Sequence, residues 1–164
     1  MILTFNQLED ELYQIGSRFS SFDPLLFDYY INCLNLGTRA QELFQLDKWN
    51  IVETTVVTLQ PQKGNNLRVL PAGDVSEYFY NSIALNEPNF YPFSYSQILM
   101  YFKRFMSYSF IYHDKRSETL NLCRHYKAKQ MHENGYTDQQ IADYFGEKEL
   151  NNIRNYIYSQ LYVV

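Results

Sequence analysis

The sequence predicts a mainly α, α+β fold, and three observations carry the prediction. Apolar residues recur at helical spacing in both outer parts of the chain. A central stretch, Ile51 to Pro71, is instead rich in Val and Thr and holds the turn chemistry Gly64-Asn65-Asn66. No repeat and no long linker divides the 164 residues. Helices, then a small antiparallel sheet, then helices is the α+β order, and the length suits one domain spanning 1–164.

In chain order, Leu8, Leu12 and Ile15 form one face of a first amphipathic helix, opposite Glu9, Asp10 and Glu11. Asp23 can cap a second helix, and Pro24 fits its first turn. That helix runs to Leu36 and is apolar nearly all round, so it is expected to be central. Gly37 ends it, and Thr38 is expected to cap a helix carrying Arg39, Glu42 and Leu43. Ile51–Leu59 and Leu67–Pro71 read as a hairpin or short meander. Asp74 is expected to cap a helix through Tyr78 and Ile83, and Ser94 or Ser96 one through Ile98 and Phe105. Glu118 to His132 reads as helix, closed by Asn134-Gly135. Thr137 caps Asp138–Phe145, Gly146 breaks it, and a last helix is expected from Leu150 to Leu161.

Composition narrows the function. There are 14 Lys+Arg against 18 Asp+Glu, a net charge of −4, whereas nucleic-acid-binding domains are usually basic. The balance is uneven. Lys103, Arg104, Lys115, Arg116, Arg124, Lys127 and Lys129 crowd one stretch that holds only two acids, Asp114 and Glu118. That stretch is either a solvated helix surface or an anion- or nucleic-acid-binding face. The two cysteines, Cys33 and Cys123, lie in apolar surroundings and read as buried free thiols, not a disulfide framework or a metal site. No apolar run is long enough to span a membrane, and no secretory leader is visible. With 16 Tyr and 12 Phe, any single tyrosine is as readily a packing residue as a reactive one.

Four segments in order carry a resemblance. They are Gly37-Thr38-Arg39-Ala40-Gln41-Glu42-Leu43, Lys63-Gly64-Asn65-Asn66-Leu67-Arg68-Val69-Leu70-Pro71, Asn121-Leu122-Cys123-Arg124-His125-Tyr126, and Phe145-Gly146-Glu147 followed by Tyr156. They are similar to the G-L-R-x-x-E-L, K-T-G-K-x-R-x-x-P, H-x-L-R-H-T and L-G-H…Y patterns of the tyrosine recombinase (phage integrase) catalytic domain. The resemblance implies that domain's helical bundle with a small antiparallel sheet. It also implies its chemistry, with no cofactor: a tyrosine attacks a DNA phosphodiester, two arginines grip the phosphate, a hairpin lysine protonates the leaving oxygen and a histidine moves protons.

Carried over by position, Arg39 and Arg124 are the clamp, Lys63 the acid and Tyr156 the nucleophile. Two positions depart. Asn121 stands where the family has a histidine, and an amide cannot exchange a proton near neutral pH. Glu147 stands where the family has His or Trp. A carboxylate about 6 Å from a phosphate charge is repelled by roughly 3 kcal/mol at an effective dielectric of about 20. Arg39 has an alternative use in pairing with a buried acid such as Glu42 or Glu147. The family's separate N-terminal DNA-gripping domain has no counterpart in 1–164, so tight DNA binding is not expected.

Two readings follow. The first is a non-catalytic integrase-fold protein reused as a phage structural or assembly component. It would work through contacts with other virion proteins or with its own copies, in a virion or the host cytoplasm. The second is an active, minimal recombinase that cleaves and rejoins DNA through a phosphotyrosine.

Overall fold

The structure is a computed structural model that describes residues 10, 24–61, 64–87, 90–100, 111–112, 121–158 and 162–163. The expected first helix, around Leu8 to Ile15, lies outside them except for Asp10, which is helical. Helix α1 (Pro24–Leu36) opens on the proline, which fits a first turn. Leu26, Tyr29, Tyr30, Cys33, Leu34 and Leu36 are all buried, as its all-round apolarity requires. Gly37 ends the helix at φ +60. A Cβ there would lie 2.1 Å from the Phe145 ring, so both the left-handed backbone and the close approach demand glycine.

The expected helix after Thr38 does not form. Thr38 is buried, and the chain makes two 3-10 turns, Glu42–Phe44 and Leu46–Lys48. Here side chains win over helix propensity. The Glu42 carboxylate accepts the Arg39 N–H at 2.7 Å, and the Glu42 carbonyl accepts the Trp49 indole N–H at 2.8 Å.

The sheet is an antiparallel meander in the order β1-β2-β3, made of β1 (Trp49–Glu53), β2 (Val56–Leu59) and β3 (Arg68–Pro71). The run read as one strand from Ile51 is therefore folded back at Thr54-Thr55, a turn without Gly or Pro to announce it. Val57 pairs with Ile51 on one side and Leu70 on the other. In β3, Arg68 and Leu70 point inward while Val69 and Pro71 point out.

Helix α2 (Glu77–Leu85) is capped by Ser76, whose hydroxyl accepts the Phe79 N–H. Asp74, expected as the cap, sits in the preceding 3-10 turn and accepts the Tyr144 hydroxyl at 3.0 Å. Helix α3 (residues 95–100) begins at Ser94, which exchanges two hydrogen bonds with Gln97 as a capping box. Strand β4 (Ile111–Tyr112) pairs antiparallel with β5 (Tyr162–Val163), a second sheet that the sequence did not suggest; the end of the expected last helix, after Tyr158, lies outside the described residues.

Helix α4 (Asn121–Glu133) packs between α1 and α6 (Leu150–Tyr158), and α5 (Asp138–Phe145) packs on α6. Thr137 and Gln140 form the α5 capping box. Two apolar clusters result. One joins α1, the sheet and α2; the other joins Met131, Ile141, Phe145, Ile153 and Ile157, and Tyr144 packs against both. Among the described residues no helix is long and apolar enough to cross a membrane.

Candidate functional site

The charged residues gather where the two clusters meet. Arg39 follows the Gly37 turn, Arg68 comes from β3, Arg124 from the start of α4 and Tyr156 from α6. Glu147 comes from the turn that ends α5. Gly146 there has φ +68, and the Glu147 N–H returns to the Ala142 carbonyl at 2.9 Å. This is a Schellman-type cap, which aims the next side chain back across the helix end. A Cβ on Gly146 would lie 2.6 Å from the Asn66 carbonyl, so the turn also abuts the chain leading into β3.

Glu147 Oε1 lies 3.1 Å from Arg39 Nη2 and 3.5 Å from Arg124 Nη2. One carboxylate oxygen therefore holds both arginines of the expected phosphate clamp. Asn152 donates to the other oxygen at 3.4 Å. A second carboxylate, Glu42, lies 3.7 Å from Arg124 and 4.0 Å from Arg68. Arg124 also donates to the Gly37 carbonyl at 2.8 Å, and Arg68 donates to the Leu36 and Tyr144 carbonyls at 2.6 and 2.7 Å.

Arg124 is 1% exposed and Glu147 4%, while the Arg39 side chain is 42% exposed and forms the way in. Burial pushes Arg68 down to about 10, with Glu42 opposing and Arg124 reinforcing, so it stays charged at neutral pH.

The guanidinium of Arg124 is stacked between aromatic faces, 4.9 Å from the Phe145 ring centre and 5.3 Å from that of Tyr156. Tyr156 is half-buried and meets the His125 ring edge-on at 4.9 Å. His125 Nδ1 lies 3.4 Å from the Tyr156 carbonyl. Burial lowers the His125 pKa, and Lys129 and Arg124 lower it further against the pull of that carbonyl.

Of the residues singled out from the sequence, Arg39, Arg124, Tyr156 and the divergent Glu147 come together. Asn121 begins α4, one turn before Arg124. Lys63, Lys103, Arg104, Lys115 and Arg116 lie outside the described residues. Lys127 donates to Gln130 at 3.1 Å and sits over the Tyr144 ring at 5.2 Å. Lys129 is partly buried, which lowers its pKa against the attraction of Glu133.

Sequence reasoning assigned no role to Arg68. Its signal was register: an arginine that alternates in phase with Leu70 and out of phase with Val69 belongs on the buried face.

This architecture is that of a tyrosine recombinase catalytic domain. The chain superposes on the crystal structure of the site-specific recombinase XerH bound to its difH substrate, a pre-cleavage complex, with a TM-score of 0.59 at 18% identity. The match covers 96% of this chain and 50% of that one, so the chain spans about half the length of the recombinase. No family model matches the chain, and no curated protein does.

Proposed function

We propose that the chain is a non-catalytic domain of recombinase fold that works through contacts with other proteins. Its former phosphate grip is kept as an internal electrostatic joint. The observation that supports this is the Glu147 carboxylate on Nη2 of both Arg39 and Arg124.

A phosphodiester would have to displace that carboxylate or lie beside it against a repulsion of roughly 3 kcal/mol. The clamp's usual contribution, positive charge aimed at an anionic transition state, is largely cancelled before any substrate arrives. Exposed apolar side chains, Val52, Leu67, Val69 and Leu85 among them, suit protein contact better than a phosphate backbone.

The recombinase reading is favoured by one observation, that Arg39, Arg124 and Tyr156 share one site. A suicide duplex separates the two readings. The expected result is no covalent protein–DNA adduct on a denaturing gel. An adduct that Tyr156→Phe abolishes would overturn the non-catalytic reading.

A further inference from the structure

The meander ends at β3, whose outer edge pairs with no strand among the described residues. The Ala72 N–H donates to the Thr55 carbonyl and the Gln60 N–H to the Lys48 carbonyl, both at 2.9 Å. With the register of the two ladders, these bonds fix the alternation. Val57 and Leu59 bond across to Leu70 and Arg68, while Thr58 bonds to Asn50. Val69 therefore turns its N–H and its carbonyl away from β2, and no hydrogen bond to a described residue meets them. Pro71, next in phase, has no N–H, so the edge open to pairing is Leu67 to Val69.

A groove of about 400 Å3 adjoins this edge. Leu67 and Val69 line one side, and Met131, Tyr136 and Tyr144, from α4, α5 and the turn between them, line the other. Leu67, Val69 and Tyr136 are exposed. Clustered apolar exposure of this kind marks interaction surfaces. Asp143 is the single charged residue of the described lining, and it too is exposed. Gln139 donates to its Oδ1 at 2.9 Å, and no described cation pairs with it. Lys127 is engaged by the Tyr144 ring and Gln130 instead.

Each feature selects the occupant. Unpaired backbone calls for an extended chain, apolar walls for an aliphatic side chain, and Asp143 for a cation. A second copy pairing edge to edge about a two-fold axis would bring Asp143 to face Asp143, which disfavours it. We propose that the β3 edge and this groove bind an extended segment of a partner protein. The segment adds as a fourth strand and presents an aliphatic side chain and a Lys or Arg two positions apart, on one face. This rests on the protein-contact reading above and names its surface; the DNA adduct assay tests the non-catalytic claim, whereas peptide binding tests the edge alone.

The test is titration of the full chain with the acetylated, amidated peptide Thr-Val-Thr-Leu-Thr-Lys-Thr, followed through backbone amide resonances. Saturable shifts are expected at Leu67, Val69 and Tyr136, with slowed hydrogen exchange at Val69. Glu in place of the peptide's Lys should weaken binding about threefold at low salt. Two further copies of the peptide are N-methylated at alternate residues, in opposite phases. One should bind like the parent and the other not at all, because only one edge of an added strand meets β3. Val69→Pro removes the outward donor and leaves the ladder to β2 intact, so it should fold and bind roughly tenfold more weakly. Where that variant does not fold, the N-methylated pair decides. No saturable shift at millimolar peptide, equal binding of both N-methylated forms, or sedimentation showing dimers of the chain that occlude Val69 would overturn the proposal.

Discussion

Two buried polar networks cross the interior, and they are built on opposite principles. The first joins α1 to α2. The Asp28 carboxylate accepts from the Ser76 hydroxyl at 2.9 Å, from the Asn32 amide at 3.2 Å and from the Tyr91 hydroxyl, while Asn32 accepts the Ser76 N–H at 2.9 Å. One charge is spread over neutral donors. The second network, Arg39, Glu42, Arg68, Arg124 and Glu147, packs five charges together and leaves guanidinium nitrogens without acceptors. A network that serves stability alone can be fully satisfied, as the first is. The second network keeps unmet donors among the described residues and one unbalanced positive charge, as the first does not.

The largest effect comes from alkali, which strikes the first network at Tyr91 and the core around it. Burial holds the hydroxyls of Tyr29, Tyr91 and Tyr144 well above their ordinary 10.0, raises Cys33 from 9.0 to about 12, and pushes Cys123 well above its ordinary value. Above those ordinary values the unfolded chain has released protons that the folded chain retains, so stability falls as pH rises. Each group costs about 1.4 kcal/mol per pH unit. With five such groups the chain should unfold cooperatively between about pH 10 and 11, a narrow window for a domain of ordinary stability. Near-UV circular dichroism against pH checks this. A native signal retained past that window would mean that these groups titrate in place.

Next in size is Arg124→Met, which takes from both Glu42 and Glu147 the fully buried cation they share. Urea unfolding should show a loss of about 4 kcal/mol. Asp28→Asn keeps its shape and one acceptor oxygen, but it loses the charge that three donors share and brings in an NH2 that cannot accept, and should cost about 2 kcal/mol. If the two costs came out equal, the contrast between charge-rich and neutral-donor networks would lose its energetic basis.

Glu147→Gln is the mildest and the most informative. Its amide oxygen can still accept from both arginines, so the loss should be about 1 kcal/mol. With the carboxylate charge gone, sulfate should raise Tm in this variant far more than in the parent. An unchanged sulfate response would place the second network beside the first, as structure and nothing more.

Legibility from sequence followed locality. Helix α1, the Thr137 cap of α5 and the Gly37 and Gly146 stops are local signals, and they were readable. The turn at Thr54-Thr55 was not, because its two threonines have strand propensity and the fold-back is imposed by pairing with Trp49–Ile51. The β4–β5 pair joins residues some fifty positions apart and leaves no local trace. Ser76 outbid Asp74 because Asp74 was taken by Tyr144, a partner from the far end of the chain. At the site, Arg39, Arg124, Tyr156 and the odd Glu147 were legible through motif order. Glu42 and Glu147 were both open as partners for the Arg39 side chain, and only the folded chain puts it on Glu147, on the same oxygen that faces Arg124.

The Gly146 turn carries a consequence for comparison among sequences. Its backbone closes the end of α5 whatever side chain follows, and it delivers that side chain onto Arg39 and Arg124. Position 147 is therefore a socket with an interchangeable fitting. An acid there plugs the grip, an amide frees it partly, and an imidazole would leave it open to an outside anion. Chains of this fold can be sorted by that one position, ahead of any assay, into those that hold their own anion and those that wait for one.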